Sequence, residues 1–261
     1  MRGQVFVVLL GLCCLASAAT DKAARFPLIS AAGLTPLNVE VAPAKLRGKS
    51  GVRVTVKPEV RDRLLAMTAA ERQAAAAQGN SLEQLVVLDG TDFGDGVIEV
   101  ELSGEAQTEL FEGARGFVGI AFRMQPDLRT YDAFYLRPTN GRADDQLRRN
   151  HATQYISHPQ WPWYRLRQEF PGKYESYVDL MPGEWTRIRI EVRGEQARLY
   201  VHGAAQPVLI VDDLKSGANG RGAIALWLDA GTIAHFRDLR LEPCKPGTLA
   251  GWKVPCAAHT N

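Results

Sequence analysis

Cysteine is scarce in this chain: there are four in 261 residues, and two of them, Cys13 and Cys14, fall inside an apolar N-terminal run. That is too few for a disulfide-dense scaffold. Cys244 and Cys256, with His259 alone beside them, make a poor zinc site. A charge excess is missing as well. With 31 Lys and Arg against 29 Asp and Glu, no global field favours nucleic acid. Beyond the N-terminus no apolar run approaches the roughly 20 residues that a membrane-spanning helix needs. There is no glycine-rich phosphate loop after a strand, no H-E-x-x-H and no EF-hand pattern. Ser30, Ser50 and Ser81 lack the context of a nucleophile elbow.

The N-terminus reads as an address. Arg2 is followed by an apolar run from Val5 to Leu15, broken only by Gly11, and then by the small residues Ala16-Ser17-Ala18. Residues 1–18 are therefore expected to be a signal peptide, and the protein to be exported to the periplasm or beyond the cell. In that oxidising compartment Cys244 and Cys256 are expected to pair. The bridge would tie a C-terminal tail, residues 243–261, with a contribution of about 3 kcal/mol in the chain-entropy model. Residues 19–36 read as an arm, and 37–242 as a single domain.

That domain is predicted to be all-β. Leu37 to Val41 and Gly51 to Val56 alternate apolar and polar residues with period two. The same pattern, or a short apolar run, recurs at 85–88, 97–102, 117–124, 131–137, 186–192, 197–201, 208–211, 223–228 and 233–241. Turn signals such as Asp89-Gly90, Pro182-Gly183 and Arg193-Gly194 separate these runs. Many short strands between turns imply a two-sheet antiparallel β-sandwich, not a βαβ fold. One helical insertion interrupts them near 58–78. Thr68-Ala-Ala-Glu71 has the form of a capping box there, so the insertion reads as two short helices or one broken at Thr68.

The order Asp92-Phe-Gly-Asp-Gly-Val-Ile-Glu-Val100, Gly116-Phe-Val-Gly-Ile-Ala-Phe-Arg123, Glu184-Trp-Thr-Arg-Ile-Arg-Ile-Glu-Val192, Gly222-Ala-Ile-Ala-Leu-Trp227 and His235-Phe-Arg-Asp-Leu239 resembles the concanavalin A-like lectin/glucanase and laminin G-like superfamily. It looks closest to its bacterial 3-keto-disaccharide hydrolase domains. The resemblance implies a jelly roll and a carbohydrate partner, by binding or by cleavage of a glycosidic bond. The E-x-D-x-x-E strand of the laminarinase-type enzymes is absent, so their two-carboxylate mechanism does not carry over. Glu99-Val-Glu101 is the nearest approach to it. Calcium is often held by such sandwiches. Asp89, Asp92 and Asp95 offer oxygens for it, and equally suit turns.

The densest chemistry lies between Tyr131 and Tyr177, in what reads as a long connection. A pyranose needs an aromatic face and a ring of fixed donors and acceptors. Arg123, Tyr135, Arg137, Asn140, Arg142, Gln146, Arg149, Asn150, Gln154, Tyr155 and Trp163 are the candidate ligand-binding residues, centred on the loop 137–168. His151, Asp145, His158 and Glu175 are the candidate proton carriers. A carboxylated sugar would suit the arginines best, through paired guanidinium–carboxylate bonds. The same arginines could instead hold the loop itself by pairing with Asp144, Asp145, Glu169, Glu175 and Asp179. Arg137 shares a strand face with Tyr131, Ala133 and Tyr135. It either looks into a groove or must be paired inside the domain. Three functions stay open: a noncatalytic lectin-like module, a glycoside-cleaving enzyme, and a protein-interaction domain. Binding requires an exposed Trp or Tyr in a groove. Catalysis requires an imidazole or carboxylate near Arg137 and Asn140 with its own orienting partner. Protein interaction requires a flat apolar patch without a groove.

Overall fold

The computed structural model describes residues 23–78 and 82–244. The expected signal peptide and Cys256 lie outside these residues. In chain order the elements are β1 Ala24–Phe26, β2 Leu34–Leu37, β3 Val39–Leu46, β4 Lys49–Val56, α1 Pro58–Ala66, α2 Ala69–Ala77, β5 Leu85–Leu88, β6 Gly96–Ala106, β7 Val118–Met124, β8 Tyr131–Leu136, α3 Gln146–Asn150, β9 Thr153–His158, α4 Trp163–Glu169, β10 Glu175–Ser176, β11 Thr186–Arg193, β12 Gln196–Val201, β13 Leu209–Val211, β14 Ala223–Leu228 and β15 Thr232–Pro243. They form two antiparallel sheets. The first runs β13-β12-β11-β6-β15-β4-β3, with β1 added on β15. The second runs β10-β9-β8-β7-β14-β5-β2. The architecture is a β-sandwich jelly roll. No helix among the described residues is long and apolar enough to cross a membrane.

Alternation decides which faces meet. In the first sheet Ile98, Val100 and Leu102 of β6 are buried beside Ile188, Ile190 and Val192 of β11, with Ile98 paired to Ile190 and Val100 to Ile188. Fully burying side chains of this size stabilises the fold by about 1.5–3 kcal/mol each. The opposite face of this sheet is wet and charged, and Glu101 pairs there with Lys49, Arg187 and Arg237. Glu101 thus belongs to a solvent-facing ion network. In the second sheet Val118, Ile120, Phe122, Phe134 and Tyr155 turn inward. Gly104 of β6 makes room for this packing, since a Cβ there would lie 2.8 Å from the Val118 side chain.

Two sequence expectations need correction. Leu37 to Val41 is not one strand. Asn38 adopts φ 60°, the left-handed region that Asn tolerates, and it hands the chain from β2 in the second sheet to β3 in the first. The connection after β8 is likewise not a plain loop. It carries β9, which pairs with β8 along its whole length, and the helices α3 and α4. The polar residues Gln154 and His158 interrupt the apolar signal of β9, because they stand on its outer face among polar groups. Segment 24–26, and segment 34–37 up to residue 36, fall in the expected arm and are strands of the two sheets.

The insertion consists of two helices. Pro58 opens α1 at a position where its missing N–H costs nothing. The capping box opens α2: the Glu71 backbone N–H donates to Thr68 Oγ1 at 3.2 Å, and the Thr68 N–H donates to Glu71 Oε2 at 2.6 Å.

Candidate functional site

The outer face of the second sheet is polar, aromatic and mostly covered. Its strands place Tyr131, Tyr135 and Arg137 beside Gln154, Trp227 and Glu175. Arg137 is buried and paired, which settles the alternative left open by its strand position. Its Nη1 donates to Glu175 Oε1 and to the His151 carbonyl, each at 3.0 Å. Its Nη2 donates to Tyr135 Oη and to Gln154 Oε1, each at 2.9 Å. Arg167, from α4, adds a second guanidinium to Glu175, with Nε 3.0 Å from Oε2. Burial pushes the Glu175 carboxyl up. The Arg167 hydrogen bonds and the charges of Arg137, Arg167 and His151 outweigh it, so the group sits below the usual carboxylate range. Burial also pushes the Tyr135 hydroxyl up, to about 12.

His151 follows α3. Its carbonyl accepts from Arg137 and, at 3.1 Å, from Asn140 Nδ2. Its Nδ1 lies 2.9 Å from Glu175 Oε2. That nitrogen is buried, and the contact sets the ring beside a carboxylate that favours its charged form. Burial lowers the imidazole pKa below its ordinary value. Glu175 opposes this, and the charges of Arg167 and Arg137 reinforce it. The ring is therefore neutral at neutral pH and able to accept a proton. An imidazole near Arg137 and Asn140 with its own carboxylate is the arrangement that catalysis would require.

These residues floor an open cleft of about 400 Å³, lined also by Phe117, Arg115, Arg148, Trp163 and Asp145. Trp163 is 41% exposed, with the Arg167 guanidinium 4.7 Å from its ring and that of Arg137 6.0 Å away. Asp145 caps α3, its Oδ1 accepting from the Arg148 N–H at 3.0 Å.

Beyond the stacked rings of Tyr135 and Trp227 lies a second cavity of about 360 Å³, walled by Leu64, Met67 and Arg72 of the helical insertion. Gly113 and Phe117 line both spaces. Behind Glu83, His158 and Trp227, which line it, the buried Tyr131 hydroxyl accepts from Trp227 Nε1 at 3.1 Å, donates to Glu83, and lies 3.0 Å from His158 Nδ1. His158 Nδ1 also stands 3.3 Å from Glu83 Oε1. The outer face of the sheet therefore carries two imidazole–carboxylate pairs.

The structure thus brings Arg137, Asn140, Asp145, His151 and Trp163 together at the first cleft, with Tyr135, Gln154 and Glu175 buried beneath them. Other candidates lie elsewhere. Arg123 is 1% exposed and holds the sandwich together, donating to Asp95 Oδ1 and to the carbonyls of Gly94, Gly194 and Gly217. Tyr155 is in the core, its hydroxyl donating to Asp132 at 2.7 Å. Arg142 forms an exposed two-bond pair with Asp179. Gln146, Arg149 and Asn150 bond to one another along α3. The three turn aspartates do not converge: Asp89 accepts from Thr35, Asp92 pairs with Arg221, and Asp95 pairs with Arg123. Among the described residues no three His, Cys, Asp or Glu gather as metal ligands. Sequence reasoning missed Arg115, Phe117, Glu83 and Trp227 as parts of this face. Only Trp227 carried a signal, as a large ring at an alternating position of a buried strand.

No family model matches the chain, and no curated protein matches it. Solved structures do resemble it. A carbohydrate-binding module of Bacillus subtilis, CBM66, matches with TM-score 0.50 and 10% identity over 80% of this chain and 95% of that one. A Bacillus subtilis protein of unknown function with a galectin-like fold matches with TM-score 0.48 and 13% identity over 84% and 94%. A lichenase from a mouse hindgut metagenome matches with TM-score 0.40 and 13% identity over 61% and 71%. The architecture is therefore one that a carbohydrate-binding module also uses, a two-sheet jelly roll. At these identities the likeness defines the fold.

Proposed function

We propose that this is an exported saccharide-binding protein whose ligand occupies the cleft between Trp163 and His151. The observation that carries the reading is the half-exposed Trp163 ring, set beside guanidinium groups fixed from below by Glu175. A ring face flanked by immobilised donors suits a pyranose, which stacks by its apolar face and hydrogen-bonds by its rim. Because those donors are already held in place, little conformational entropy is lost on binding. The jelly-roll scaffold, shared with a carbohydrate-binding module, supports the reading by analogy of fold. Export rests on the N-terminal sequence pattern.

A second reading is turnover, and the His151–Glu175 pair favours it. Neutral His151 would take or return a proton during cleavage of a glycosidic bond. Glu175, saturated by two arginines, would position the ring and stabilise its charged form. The resemblance to 3-keto-disaccharide hydrolase domains points to oxidised disaccharides as substrates.

Calorimetry of the mature chain against a saccharide panel, run beside a product assay on 3-keto and plain disaccharides, tests both readings. Saturable binding without product supports the binding module, and product lost in His151→Ala supports the enzyme. No binding to any saccharide overturns the proposal.

A further inference from the structure

The lining of the first cleft is unbalanced in charge. Arg115, Arg137, Arg148 and Arg167 face one lining carboxylate, Asp145. Arg137 and Arg167 share from below the one buried carboxylate of Glu175. Arg115 and Arg148 have no such partner. Among the described residues neither forms an ion pair: Arg115 Nη1 donates to the neighbouring Ala114 carbonyl, and Arg148 Nε donates to Asn140 Oδ1. The turn at Pro138–Asn140 brings the two together. Thr139 Oγ1 donates to the Arg115 carbonyl at 2.9 Å, while the next residue, Asn140, holds the Arg148 guanidinium at 3.0 Å. The two like charges act on each other: burial lowers the Arg115 pKa, and the charge of Arg148 lowers it further. Two cations lining one cleft repel each other, and an anion bound between them would relieve that repulsion.

We propose that Arg115 and Arg148 form a subsite for an anionic substituent, and that the ligand is an acidic saccharide carrying a carboxylate on a ring that stacks on Trp163. This rests on the saccharide reading of the same cleft. Guanidinium forks match a carboxylate by paired hydrogen bonds, and the rest of the sugar meets Asn140, His151 and the aromatic wall.

The test is calorimetry of the mature chain with three oligosaccharides of one backbone: neutral, uronate and sulfated. The uronate is expected to bind roughly tenfold tighter than the neutral sugar at low salt, with the advantage shrinking as salt rises. Arg115→Gln and Arg148→Gln are each expected to bring the uronate-to-neutral ratio close to one, while Arg115→Lys retains part of it. Trp163→Ala is expected to weaken both sugars alike. Equal binding of the neutral and uronate sugars would overturn the subsite and leave the saccharide reading standing. A sulfated sugar preferred over the uronate would overturn the choice of carboxylate. No binding of any of the three would overturn the saccharide reading itself, and the subsite with it.

Discussion

Tyr135 and Trp227 stack on each other across a glycine. Their strands, β8 and β14, are not neighbours. Each pairs with β7, and Gly119 of β7 is the cross-strand partner of both residues. With no side chain between them, the rings meet with centroids 4.6 Å apart and planes 26° apart. Arg137 bonds to one end of this stack and Tyr131 to the other, so the stack joins the two imidazole–carboxylate pairs.

Gly119→Ala is therefore expected to damage both packing and site. An added Cβ would fall 2.2 Å from the Phe134 carbonyl oxygen and 2.5 Å from Tyr135 Cβ. Overpacking of this kind costs about 1–3 kcal/mol, read as a lower urea midpoint. Trp227 fluorescence should change with it, because the ring loses its stacking partner.

Arg123→Ala is expected to be the more severe substitution, although it lies outside the cleft. It would remove the buried ion pair with Asp95 and free three glycine carbonyls from their donor. Breaking a buried pair costs about 3–5 kcal/mol. Denaturant unfolding measures the loss. Saccharide affinity of the folded fraction should be unchanged.

Acid should erode stability in two pH windows. The native His151 pKa is below 6.5, so the unfolded state binds the proton first. The stability tied to the neutral ring is complete above pH 6.5 and is lost as pH falls through the native value. Glu175 follows below its ordinary 4.5, since its native pKa is lowered too. The fall of the thermal midpoint through the first window should be smaller in His151→Ala than in the wild type, and His235, its pKa also lowered by burial, keeps it from vanishing. In Glu175→Gln the His151 pKa, followed by NMR, should fall further, because the carboxylate is what raises it.

Trp163→Ala should separate binding from folding. The ring is largely outside the core, and substitutions at such positions usually change stability by about 0.5 kcal/mol or less. Saccharide affinity should fall by about tenfold, consistent with the loss of an aromatic platform. Unchanged affinity would remove Trp163 from the site.

The sequence by itself determined the sandwich, because a period of two leaves a strand one buried face, and turn residues leave the chain few other arrangements. It also determined the two helices of the insertion, since capping is a local bond between Thr68 and Glu71. Much of the site's composition was legible too: Arg137, Asn140, Asp145, His151 and Trp163 sit within 27 positions of one another and line one cleft. Tertiary structure alone decided what each polar residue does. Arg123 and Arg137 look alike at the ends of their strands, yet one ties the sandwich together and the other underlies the cleft. The difference lies in partners distant in the chain, Gly194 and Glu175, that only sheet pairing brings within reach. Arg115 and Trp227 joined the site for the same reason. Burial, repulsion and ion pairing depend on distance in space, and a linear pattern carries that only along a strand or around a helical turn.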